Sequence, residues 1–154
     1  MIDEIGLKIL NILQDKARIP NVEVARKIGM APSAVLERIR KLEKQGIIDG
    51  YEVRLNPKRF NRSLVAFIYI QTDIQADHIT VGPALSEISE VQEVHFVAGE
   101  DCYLIKARIA DTNELEHLLE EKILGITSVC SVKTNIVLST QKETSRIPLD
   151  AGLA

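Results

Sequence analysis

Apolar residues recur at helical spacing in three successive blocks at the start of the chain. Ile5, Ile9, Leu10, Ile12 and Leu13 form the first stripe, with Asp3 placed to cap its helix. Gly6 stands where a capping box carries an acid, which weakens that first turn. Arg18-Ile19-Pro20-Asn21 interrupts the pattern, and Asn21 is expected to cap a short second helix containing Val22, Val24, Ala25 and Ile28. Gly29 ends that helix, Gly29-Met30-Ala31 makes a tight turn, and Pro32 opens a third helix at its first position. The third helix directs Val35, Leu36, Ile39 and Leu42 inward and stops before Gly46.

Beyond Gly46 the periodicity changes. Ile47 to Leu55 reads as a strand or small wing with an Asp-Gly turn, and Asn56-Pro57-Lys58-Arg59 is a polar linker marking a domain boundary. Ser63 to Thr72 is a strong β run, and residues 77–90 read as helical from at least Pro83 onward. Gln92 to Ala98 and Cys102 to Ala110 are two strands separated by Gly99-Glu100-Asp101. Asp111-Thr112-Asn113-Glu114 is a capping box leading into Leu115, Leu118, Leu119 and Ile123, and a last strand runs from Ser128 to Ser139. The order β-α-β-β-α-β is the split arrangement of a ferredoxin-like fold, with helices on one sheet face and a bare apolar face that asks for a partner. The fold class is therefore α+β. A winged helix-turn-helix occupies residues 1–50, a linker strand 51–62, a ferredoxin-like βαββαβ domain 63–140 and a tail 141–154.

Composition sharpens this division. The 154 residues, 45% hydrophobic and 27% charged, describe an ordinary globular chain. A net charge of −3 argues, taken whole, against a nucleic-acid binder. Residues 1–60, however, carry 12 bases and 8 acids, net +4, whereas residues 61–154 carry 7 bases and 14 acids, net −7. No apolar run reaches the ~18 residues of a membrane span. The opening Met-Ile-Asp-Glu lacks the basic region of a secretory signal, so a cytoplasmic protein with no membrane partner is expected. Cys102 and Cys130 sit in strand-like runs without metal-site spacing and read as core thiols of a reducing compartment. His78, His95 and His117 share no short spacing, and no nucleophile elbow occurs, so no metal, cofactor or catalytic residue is expected. Aromatic residues are only 4%, with no Trp, which supplies few platforms for stacking single-stranded bases.

Two helices joined by a three-residue turn, the second opening on small residues, form a helix-turn-helix pattern. Ser33, Ala34, Glu37, Arg38, Arg40, Lys41 and Lys44 are left mostly outward on the third helix. Its first residues would face base edges in a major groove of double-stranded DNA, and the Arg and Lys residues farther along would meet phosphates. The helix starts at Asn21 and Pro32 add backbone N–H groups that favour phosphate. Arg54, Lys58 and Arg59 extend the basic surface into the wing and linker. Charged helix faces are common, so the pattern alone also fits a three-helix protein-binding module. The charge asymmetry favours DNA.

These residues resemble the Lrp/AsnC transcriptional regulators, the leucine-responsive and asparagine-responsive feast-famine proteins. The resemblance lies in Ile2-Asp3-Glu4-Ile5 with Ile9-Leu10 and Leu13-Gln14, and in Pro32-Ser33-Ala34-Val35 with Arg38-Ile39, Leu42-Glu43 and Gly46-Ile47-Ile48. It continues through Gly99-Glu100-Asp101-Cys102-Tyr103-Leu104, Thr134 with Ile136-Val137-Leu138, and Ile147-Pro148-Leu149, and so covers residues 2–149. It implies a DNA-binding winged helix-turn-helix and a ferredoxin-like domain that pairs through its open sheet face into homodimers, which commonly assemble into octamers or similar rings. It also implies a small-molecule effector, usually an amino acid, bound between dimers near the loop joining strands two and three, and no catalysis. Three positions depart from the family pattern. Ala31 replaces a frequent Ser cap, at a cost of about 1 kcal/mol that Pro32 partly offsets. Gly6 replaces a frequent acid. Cys102 fills the Asp position of one common loop variant, so the loop resembles a second variant.

An amino-acid effector needs an anion for its ammonium and donors for its carboxylate. Within the resemblance, Gly99 allows close backbone approach, Glu100 or Asp101 supplies the charge, and Thr134 a hydroxyl from the last strand. Cys130 shares the Thr134 face by the period-two rule. The same residues also fit a plain hairpin turn and a good strand former. Two other functions use this architecture: a sirohaem decarboxylase-like enzyme, against which the basic third helix and scattered histidines speak, and a DNA-packaging protein without effector control.

Overall fold

A computed structural model describes residues 2–73, 78–98 and 102–149. The chain divides into two compact units, one formed by Met1–Arg54 with Glu143–Ala154 and the other by Leu55–Lys142. Most of the expected tail, from Glu143 on, thus belongs to the first unit.

Three helices build the first unit: α1 (Glu4–Asp15), α2 (Asn21–Ile28) and α3 (Pro32–Lys44). Their stripes meet in one core of Ile9, Leu10, Ile19, Val24, Ala25, Val35, Ile39 and Leu42. Asp3 caps α1, its Oδ1 accepting the Gly6 N–H at 2.8 Å. The cap of α2 differs from expectation. Pro20 holds that position with an extended backbone, its carbonyl accepting from the N–H groups of Glu23 and Val24, and Asn21 is the first helical residue without a capping bond. Burial of Ile19 in the core fixes the approach of the chain one residue early, and the preset φ of Pro20 suits the cap. Val22, expected in the apolar stripe, is 65% exposed. Gly29 takes the left-handed conformation (φ 71°) that ends α2, and Pro32 stands in the first turn of α3 as expected.

Residues 47–55 form no strand, and in the expected linker strand the only regular element is a 3₁₀ turn at Pro57–Phe60. An extended segment becomes a strand only when another ladders against it, and no described segment does so here. Instead Ile48 packs partly against the helical core, and the Tyr51 hydroxyl donates to Glu43 Oε1 at 2.9 Å. Burial first, and then this bond to a carboxylate, push the Tyr51 phenol up to about 12. The C-terminal segment docks on α1. Gln14 and Ile147 exchange two hydrogen bonds, the Ile147 N–H donating to Gln14 Oε1 at 2.9 Å and Gln14 Nε2 donating to the Ile147 carbonyl at 3.1 Å. Arg146 pairs with Asp15, and Leu149 lies half-buried against the helical core.

The second unit runs β1 (Leu64–Thr72), α4 (His78–Ser86), β2 (Val91–Val97), β3 (Cys102–Ile109), α5 (Thr112–His117) and β4 (Val129–Ile136). The antiparallel sheet has the order β2-β3-β1-β4, the ferredoxin-like arrangement. Helix α4 starts earlier than Pro83 and encloses that proline, and β4 stops at Ile136, short of Ser139. Asp111 caps α5 by accepting the Glu114 N–H at 2.9 Å, while Glu114 reaches back to the Ala110 N–H and pairs with Arg62. The helix then widens into a π-helical stretch, Leu118–Ile123. Ala66, Ile68, Ile70, Ile105, Ala107 and Ile109 face Val81, Leu85, Leu115, Leu118 and Ile123 in the core.

The other sheet face is not the bare apolar surface expected. Phe67 pairs in register with Lys106 and Asn135, and Tyr69 with Leu104 and Lys133; Glu93 and His95 oppose Lys106 and Leu104. Lys106 Nζ lies 3.1 Å from Glu93 Oε1. Alternation places these residues on one face but does not make them all apolar.

Candidate nucleic-acid interface and effector face

Helix α3 presents the expected residues. Pro32, Ser33, Glu37, Arg40, Lys41 and Lys44 are exposed, Ala34 is half-buried, and Asn21 is half-buried at the start of α2. The first turns of both α2 and α3 lack a side-chain cap, so no side chain competes with an anion for their first N–H groups. Arg40, Lys41 and Lys44 form no ion pair with any described residue. They give this helix a solvated positive surface.

Arg38 behaves differently. Its Nη1 donates to both carboxylate oxygens of Asp3, at 2.8 Å to Oδ1 and 2.7 Å to Oδ2. The Arg38 hydrogen bond, followed by that of the Gly6 N–H, holds the Asp3 carboxyl below its usual range, and Lys41 adds to the effect through space. Sequence reasoning identified Asp3 only as a cap. Nothing in local spacing links it to a residue 35 positions later.

On the second unit, Gly99, Glu100 and Asp101 lie outside the described residues. Thr134 is half-buried and pairs in register with Ile68, on the helix-covered side of the sheet. Cys130 is exposed, not a core thiol, and does not follow the period-two rule from Thr134. The register passes from Gln71↔Ser131 to Thr72↔Val129, which leaves Cys130 as the extra residue of a bulge. The Thr72 hydroxyl beside that bulge is fully buried and makes no hydrogen bond among the described residues. His95 lies 3.3 Å from Glu93 and His117 lies 3.0 Å from Glu121, on different elements. No group of three His, Cys, Asp or Glu residues among those described is arranged to hold a metal ion, and no described helix is long and apolar enough to cross a membrane.

Comparison with known proteins agrees with this division. Residues 2–49 match a winged helix-turn-helix DNA-binding family, and residues 65–147 match the Lrp/AsnC ligand binding domain. The leucine-responsive regulatory protein of Escherichia coli K12 is 36% identical over 148 residues, 95% of this chain and 90% of that protein. A transcriptional regulator of Neisseria meningitidis, solved as a complex with L-Met, superimposes with a TM-score of 0.91 at 30% identity, covering 97% of this chain and 98% of that one. A feast or famine regulatory protein of M. tuberculosis, complexed with L-methionine, gives 0.88 at 30% identity, covering 96% and 99%.

Proposed function

The chain belongs to the Lrp/AsnC family of transcriptional regulators, and on that premise we propose that α3 is the recognition helix of a duplex-DNA-binding regulator whose effector is an amino acid. Ser33, Ala34 and Glu37 are assigned to base edges, Arg40, Lys41 and Lys44 to phosphates, and the helix starts at Asn21 and Pro32 to backbone contacts with phosphate. The observation that carries this reading is the uncapped start and solvated basic surface of α3 within a half of net charge +4.

The effector class follows from the two relatives solved with methionine, and Thr134 and Cys130 are the described residues assigned to it, beside Gly99, Glu100 and Asp101. The open face of the sheet, where Phe67, Tyr69 and Leu104 lie among charged residues, is assigned to a homodimer contact, with higher assemblies built from such dimers. The family reading leaves the protein without a catalytic role.

A gel-shift titration with duplex DNA from upstream of the protein's own coding sequence tests the DNA assignment. Affinity is expected to fall as salt rises and to weaken in Arg40→Ala and Lys41→Ala. Indifference to salt and to both substitutions would remove the assignment. Thermal-shift screening of the twenty amino acids tests the effector, because a ligand of the folded state stabilises it by RT ln(1 + [L]/Kd). A flat screen would remove it.

A further inference from the structure

We infer that Asp3 withholds Arg38 from DNA, so that this arginine positions the recognition helix instead of neutralising a phosphate. The inference rests on α3 being the DNA-reading helix. Among the basic residues of α3, Arg40, Lys41 and Lys44 are exposed, whereas the Arg38 side chain is 35% exposed and bound to both oxygens of one carboxylate. That carboxylate is itself fixed, because Oδ1 also accepts the Gly6 N–H that caps α1. Arg38 therefore meets an anion already placed by the fold, and the link joins the start of α1 to the middle of α3.

Exchange of Asp3 for a phosphate would be a poor trade for Arg38. It would leave an uncompensated carboxylate next to the polyanion, within electrostatic reach of Lys41, and would give no net gain of neutralised charge. Gly6 makes the arrangement possible. A side chain there would press on Asp3 Oδ1, whose position serves both the cap and Arg38.

The test uses the full-length protein and two duplexes, one from upstream of its own coding sequence and one of mixed sequence and equal length. Affinity is measured over a salt series. Loss of a phosphate contact lowers the slope of log K against log salt by about 0.9 per contact. Arg40→Gln is expected to lower the slope in this way, and Arg38→Gln to leave it unchanged. Asp3→Asn keeps a good cap residue but frees Arg38, and is expected to steepen the slope. Equal slope losses in Arg38→Gln and Arg40→Gln would overturn the inference.

A second arm reads the pair without DNA. Thermal unfolding of Asp3→Asn, Arg38→Gln and the double variant is expected to give a combined Tm loss smaller than the sum of the two. Arg38→Lys, which retains a cation for Asp3, is expected to recover most of that loss with the wild-type salt slope. Additive losses would overturn the pairing. A wild type that bound neither duplex would instead overturn the DNA reading, and with it this role.

Discussion

A β-carbon on Gly6 would lie 2.8 Å from Cγ2 of Ile2 and 3.1 Å from Oδ1 of Asp3, so the first turn of α1 has no room for a side chain at this position. Alanine is favoured over glycine inside a helix by about 1 kcal/mol. Gly6→Ala is expected to forgo that gain, because Ile2 must move and the Asp3 carboxylate is crowded. Differential scanning calorimetry should give a Tm at or below wild type, and a clear rise would show that the site relaxes freely.

The Thr72 hydroxyl is buried without a partner among the described residues, in a residue only 8% exposed. An unsatisfied buried polar group costs about 1–3 kcal/mol. Thr72→Val keeps the branched shape and removes the hydroxyl, so it should stabilise the ligand-free protein by about 1 kcal/mol in urea unfolding. Destabilisation would mean that the hydroxyl is hydrogen-bonded in solution.

Glu90 carries an acid-sensitive contact of the second unit. Burial pushes its carboxyl up, but hydrogen bonds from Lys122, its own backbone N–H and Ser89 outweigh burial and hold it below the usual range. A carboxyl lowered in the folded state stabilises the fold above its unfolded pKa, and that contribution is lost as pH falls through the folded value. Stability should therefore decline with acid below the ordinary glutamate range, and Glu90→Gln should flatten this decline while lowering stability at neutral pH. An unchanged acid limb in Glu90→Gln would dissociate Glu90 from acid sensitivity.

Removal of the residues after Lys142 takes away the Gln14–Ile147 exchange, the Arg146–Asp15 pair and the Leu149 contact. The two exposed polar links are individually weak, and partial burial of one leucine contributes about 1 kcal/mol. The truncated protein should lose about 1–2 kcal/mol, with faster amide exchange in α1 and the sheet unaffected. Equal acceleration in β1 and β3 would show that the segment supports both units.

What could be read from the chain was what short spacing decides. Pro32 at the start of α3, its inward Val35, Ile39 and Leu42, and the exposed Arg40 and Lys44 all follow from a 3.6-residue period. The α2 cap was misplaced by one residue because it depends on Ile19 entering a core shared by three helices. Tyr51, Val53 and Leu55 do alternate, but a strand is a property of two segments, and the alternation carries no record of a missing mate. Cys130 was assigned a face by a rule that one extra residue suspends. The Arg38–Asp3 and Gln14–Ile147 links span 35 and 133 positions, where only the folded chain brings the partners together.

The return of Glu143 and its successors to the helical unit makes the sheet-bearing unit an insertion within the DNA-binding one. During synthesis the three helices leave the ribosome before the second unit, whereas their docking partners at Arg146, Ile147 and Leu149 follow it. A chain stalled within the second unit would thus carry a helix-turn-helix still missing those contacts. The order of synthesis ties completion of the DNA-reading unit to completion of the domain that governs it.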